Sequence, residues 1–125
     1  MDRNIFFVAV GGLIGSVARY LVAVLFAGYF SSTFPIATLT VNLVGCFLIG
    51  ILFALSDRGN ILSPEWRMFL TTGFCGGFTT FSTFSYESLK LMQDGEFLYL
   101  ALNVAISVVV GFAATYLGIL LIKSI

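Results

Sequence analysis

Four long apolar runs, separated by three short polar connectors, account for almost the whole chain. The runs cover roughly residues 5–26, 36–55, 64–92 and 97–122, and the connectors fall at 31–35, 56–60 and 93–96. Each run reaches about 20 predominantly apolar residues, the length of helix that crosses the hydrocarbon core of a bilayer. The pattern predicts a single all-α transmembrane domain over residues 1–125, with four helices, no separate soluble domain and no sequence repeat. An even number of crossings puts both termini on one side. The third run marks its own start: Ser63 can cap the helix, Pro64 suits the first helical position, and Glu65 sits at the positive end of the helix dipole. Trp66 and Tyr86 suit the membrane interface. At about 29 residues the run is longer than one straight crossing needs. Near its middle lie Gly76 and Gly77, and each glycine costs a helix interior about 1 kcal/mol relative to alanine. One helix broken into two halves near 76–80 is therefore expected.

Composition agrees with a membrane protein. Of 125 residues, 59% are hydrophobic and only 10% charged, with a mean hydropathy of +1.06. A soluble domain of this length buries too small a share of its surface to hide so much apolar side chain. Formal charge is zero and no basic cluster exists, which excludes nucleic acid as a partner class. Cys46 and Cys75 lie far apart within apolar runs, and they read as small packing residues rather than as a disulfide or zinc ligands. Met1 to Asn4 precede an apolar run in the manner of a secretory leader. Arg19 and Tyr20, however, stand where a small-residue cleavage site would be needed, so the first run is expected to stay. Arg3, Arg58, Arg67 and Lys123 fall on the side of the termini, Lys90 on the other, with Arg19 leaning that way from inside the first run. The positive-inside rule then leans towards termini inside, without excluding insertion in both directions.

The chemistry concentrates in the stretch Gly76-Gly77-Phe78-Thr79-Thr80-Phe81-Ser82-Thr83-Phe84. Non-helical backbone at membrane depth survives only where it is buried in protein or lines a cavity, so a polar object is expected at this break. Thr38 and Asn42 lie one turn apart in the second run; Asn103, Ser107, Gly111 and Thr115 form a similar track in the fourth. These tracks either face each other across a narrow pore or hydrogen-bond between helices. Asn42 favours a function, because its amide donors demand partners in a dry interior. Phe81 and Phe84 share a helical face, and the partially positive edges of their rings can touch a small anion. Arg19, the one basic residue well inside an apolar run, either draws anions into a vestibule or snorkels to the headgroups. Glu87 is either a helix-end partner or a pore-mouth residue. Gly11 with Gly15, Gly73 with Gly77, and Ala114 with Gly118 have the spacing that lets helices approach closely. No histidine, acid pair or activated nucleophile is present, so no enzyme is expected.

The run Gly76 to Ser85, with Thr38-Leu39-Thr40-Val41-Asn42-Leu43-Val44-Gly45 before it and the early pair Gly15 and Arg19, closely resembles the Fluc (CrcB) family of microbial fluoride channels. The resemblance covers essentially the whole chain. It implies an antiparallel, dual-topology homodimer in the cell membrane, multi-pass and in bacteria the inner membrane, with two narrow fluoride pores at the subunit interface. It implies a structural sodium ion at the centre, held by the main-chain carbonyls of Gly76 and Thr79 of each subunit. It further implies pore roles for Phe81, Phe84 and Asn42, a hydroxyl track of Thr38, Ser82, Thr83 and Ser107, and a vestibule role for Arg19. Relatives can carry a tyrosine at the position of Asn103 and a serine at that of Gly111. The implied function is passive export of fluoride down its electrochemical gradient, which relieves fluoride toxicity. A small proton-coupled multidrug exporter also uses four helices and antiparallel dimers, but needs a membrane-embedded acid that the first run lacks. A non-transporting assembly subunit would leave the broken third helix without a purpose.

Overall fold

The computed structural model describes residues 3–59 and 61–125. Met1 and Asp2, where the leader reading begins, and Asn60, at the end of the second connector, lie outside the described residues. Two long helices come first, α1 (Arg3–Tyr29) and α2 (Ile36–Asp57). The third run starts as α3 (Pro64–Met68), widens into a π-helical stretch (Phe69–Cys75) and closes with the short α4 (Gly76–Phe78). After a break it resumes as α5 (Phe81–Gln93), and α6 (Phe97–Lys123) ends the chain. Among the described residues there is no strand. Among the described residues three helices, α1, α2 and α6, are long and apolar enough to cross a membrane, which makes this a multi-pass membrane protein. The third run contributes no such helix, because its break leaves α5 with only 13 residues.

Local signals set the element ends. Ser63 Oγ accepts the Trp66 N–H at 3.2 Å, with Pro64 at the first helical position and Glu65 in the first turn, as expected. The last connector turns through Gly95 at φ +77°, a left-handed conformation that glycine adopts without a Cβ clash. Two tethers gather the chain ends. Arg3 Nη1 lies 3.6 Å from Glu65 Oε2, and Arg58 Nη2 donates to the carbonyls of Ile122 at 2.6 Å and Ile125 at 3.3 Å. The start of α1, the second connector and the C-terminus thus occupy one end of the bundle.

α1 packs chiefly on the first half of the third run, and α2 on α6, with α5 also against α6. The glycine pairs explain this closeness. A Cβ on Gly11 would run into the Phe69 carbonyl oxygen, and one on Gly15 into that of Phe74. A Cβ on Gly77 would lie 2.6 Å from the Gly12 oxygen. Gly50 and Gly118 play the same part between α2 and α6, against the backbone of Thr115 and Phe47. Packing within one chain accounts for these residues, in line with the role of small residues where lipid offers no hydrophobic drive. Gly15→Ala should therefore lower the melting temperature in detergent, since backbone overlap of this kind costs about 1–3 kcal/mol. Gly12→Ala, whose Cβ would sit 3.8 Å from the Gly73 oxygen, should not. Equal melting temperatures for the two variants would contradict the seam.

Candidate functional site

The helix does not break at the glycines. Gly76 is helical, at φ −62° and ψ −37°, whereas Thr79 (−90°, 161°) and Thr80 (−153°, 124°) are extended. β-Branched residues accept extended backbone readily, but the decisive partner is Asn42 on α2. Its Oδ1 accepts the Thr80 N–H at 2.8 Å, and its Nδ2 donates to the Thr80 carbonyl at 3.0 Å. One side-chain amide thus satisfies both main-chain polar groups of Thr80, a residue that has left the helix. Thr80 then caps the second half, its Oγ1 accepting the Thr83 N–H at 3.2 Å. Thr79 turns its hydroxyl back to the Cys75 carbonyl at 2.8 Å, and its methyl occupies the space left by the missing side chain of Gly45.

Helix ends leave carbonyls without intrahelical partners. At this end Cys75 O receives Thr79, and Gly77 O accepts Arg19 Nε–H at 3.1 Å. A continuing α-helix would bring the Thr80 N–H to the Gly76 carbonyl, but Asn42 has taken that donor. Arg19 therefore turns inward to the break from the α1 side, placing a cation at the negative end of the half-helix.

On the other side of the break lies an open groove of about 450 Å³. α2 lines it with Asn42, Gly45, Cys46 and Ile49; the third run with Thr71, Cys75, Gly76, Thr79, Thr80, Phe81 and Phe84; and α6 with Ser107, Val108 and Phe112. No charged side chain is among them. The rings of Phe81 and Phe84 stand 5.7 Å apart and tilted by 44°. Phe81 is 78% exposed and Phe112 75%, so the groove opens on an apolar flank. Ser107 Oγ is buried and has no hydrogen-bond partner.

Six expected site residues, Asn42, Gly76, Thr79, Phe81, Phe84 and Ser107, meet in this groove. Four others do not line it. Ser82 is exposed, its hydroxyl 3.3 Å from that of Thr80, and Thr83 donates its N–H to the same Thr80 oxygen. Arg19 lies behind the break. Thr38 sits beside the Glu87 carboxylate, and Glu87 lines a separate cavity of about 230 Å³ with Phe26, Phe30 and Phe34. The polar track of α6 divides as well. Asn103, only 1% exposed, donates from Nδ2 to Ser88 Oγ at 3.1 Å and ties α5 to α6, while Thr115 Oγ1 bonds the Gly111 carbonyl. The sequence reading missed Gly45, Cys46 and Ile49. With Asn42 they form one helical stripe, and extending the 3.6-residue period from Asn42 would have found them.

Hydroxyl, amide and aromatic edge offer neutral donors for an anion. Among the described residues no three His, Cys, Asp or Glu side chains gather.

Comparison with known proteins fits this geometry. The family described as "CrcB-like protein, Camphor Resistance (CrcB)" matches residues 6–119. The chain is 54% identical to a protein of Chlorobium chlorochromatii over 94% of this chain and 90% of that one. It is 56% identical to one of Chlorobaculum tepidum (97% and 95%), and 42% identical to one of Leptospira interrogans (98% and 97%). All three bear the name fluoride-specific ion channel FluC.

Proposed function

The chain belongs to the Fluc (CrcB) family of microbial fluoride ion channels, and from that membership we propose that it conducts fluoride passively through pores completed by a second, antiparallel copy. The observation that carries the reading is the groove. It holds two tilted phenylalanines, an asparagine and a buried hydroxyl with no partner, on a face whose exposed Phe81 and Phe112 invite cover. In this reading the third run makes the fourth crossing as two half-helices, and the break of each subunit meets that of its partner.

Fluoride enters a microbe as the neutral acid HF, ionises in the near-neutral cytoplasm and accumulates there. A passive anion pore lets the negative-inside potential drive it out without ATP or a coupled ion. Fluoride is strongly hydrated, so the pore must replace its water with oriented donors. Ser107 Oγ–H, the second N–H of Asn42 Nδ2 and the edges of Phe81 and Phe84 supply them here. None carries a full charge that would trap the ion. Thr38, Ser82 and Thr83 extend the path beyond the groove, and Arg19 contributes positive potential from behind.

The donor set at the break suits sodium, a hard monovalent cation: released carbonyls and no anionic side chain. Gly76 O and Thr79 O of each subunit would hold it. Once bound, it supplies fixed positive charge that stabilises the paired breaks and an anion path nearby.

Ser107→Ala gives a sharp separation of function from stability. The hydroxyl makes no bond to lose, and removing an unsatisfied buried polar group relieves a desolvation penalty of about 1–3 kcal/mol. Fluoride efflux should fall while the melting temperature holds or rises. Loss of both would mean that Ser107 is structural. As a test of the whole reading, the gene should restore growth on millimolar fluoride to a bacterium lacking its own fluoride exporters. Failure of an expressed, membrane-inserted chain to do so would reject the export role.

A further inference from the structure

We propose that the cleft between the start of α1 and α3 is a binding site for a zwitterionic phospholipid of the phosphatidylethanolamine class. This cleft, about 450 Å³, lies at the terminal end of the bundle, away from the groove and its residues. Its walls are apolar, with Phe6, Phe7 and Phe69 facing the space, and Trp66 and Phe69 meet edge to face with centroids 5.6 Å apart. A pocket of this size and lining lies within the range of ligand sites.

Among the described residues the mouth carries one charge of each sign. Arg3 Nη1 and Glu65 Oε2 stand 3.6 Å apart, beyond the 2.7–2.9 Å of a charge-assisted hydrogen bond, with 78% and 34% of their side chains exposed. Such a surface pair is weak and opens readily. The guanidinium has donors to spare for a phosphate, and the carboxylate can accept from a primary ammonium. A phosphoethanolamine headgroup brings both charges on one short linker, so each finds its opposite. A phosphatidylglycerol headgroup offers only the anion, and Glu65 would repel it. Depth agrees: the cleft sits where two helices begin, and Trp66, 58% exposed, has the amphipathic ring that favours headgroup level. An acyl chain then lies along the phenylalanines.

The test is native mass spectrometry of purified protein released from detergent containing equal amounts of palmitoyl-oleoyl phosphatidylethanolamine and phosphatidylglycerol. The wild type should retain phosphatidylethanolamine about threefold over phosphatidylglycerol, the ratio that one surface ion pair of about 0.6 kcal/mol gives. Glu65→Gln should reverse the preference, because Arg3 alone then faces the lipid. Arg3→Gln should lower retention of both lipids. The double exchange Arg3→Glu with Glu65→Arg keeps both charges in the cleft and should restore the original preference, which separates recognition from loss of folding. A wild type that prefers phosphatidylglycerol, or one lipid ratio in all four proteins, would overturn the proposal. Neither Arg3 nor Glu65 belongs to the fluoride path, so efflux by all four proteins should match. Failure of this lipid test leaves the channel reading untouched.

Discussion

Phe81→Ile should reduce fluoride efflux to the leak of protein-free liposomes while the purified protein keeps its size and helicity. The side chain is 78% exposed on the protomer and contributes little to its core. Isoleucine preserves apolar bulk at that position but removes the aromatic edge, the one feature of phenylalanine that attracts an anion. A small, strongly hydrated ion leaves water only if every displaced contact is replaced, so losing one aromatic neighbour raises the barrier for the whole path. Phe84→Ile should act in the same direction, because the two rings stand 5.7 Å apart in one groove. Wild-type efflux by a folded Phe81→Ile protein would remove Phe81 from the pore.

Asn42→Asp should abolish efflux by a different route and should also lower the melting temperature. In the native protein Nδ2 donates to the Thr80 carbonyl at 3.0 Å. A carboxylate puts an acceptor there, so two oxygens face each other and the carbonyl loses its donor. Leaving a buried polar group unsatisfied costs about 1–3 kcal/mol, and burying the new charge adds to that. The break should lose its fixed geometry, and with it the donors presented to fluoride. Asn42 ties only the break, while the glycine seams elsewhere are untouched, so each chain should keep its helical packing in mild detergent. Normal efflux together with an unchanged melting temperature would show that the amide neither clamps the break nor serves the ion.

Much of this was legible in residues that act locally. The Ser63–Pro64–Glu65 start and the close-packing role of Gly11, Gly15 and Gly77 follow from short-range rules, and the structure bears them out. The break was legible to within a few residues but assigned to the wrong cause. Gly76 and Gly77 cost helix propensity, yet both are helical here. Gly77 is small because α1 crosses it, and the chain leaves the helix where Asn42 captures Thr80. That capture joins residues 38 apart, and no period or propensity reveals it. Asn103 shows the same limit. Its place on a polar track suggested the path, but a bond to Ser88 on the neighbouring helix turns it away from the groove. For Arg19 the sequence left vestibule and headgroup both open. The bond to the Gly77 carbonyl directs it inward, to a partner that exists only because the helix ends there.

Anion efflux from liposomes holding the purified protein tests the central claim most directly. Vesicles loaded with potassium fluoride or potassium chloride, with valinomycin to carry the countercharge, report each anion by a selective electrode. Rapid loss of fluoride without loss of chloride, and without any proton gradient, is the predicted result. Comparable loss of both anions, no loss of fluoride, or fluoride loss that requires a proton gradient would contradict a passive fluoride-selective channel.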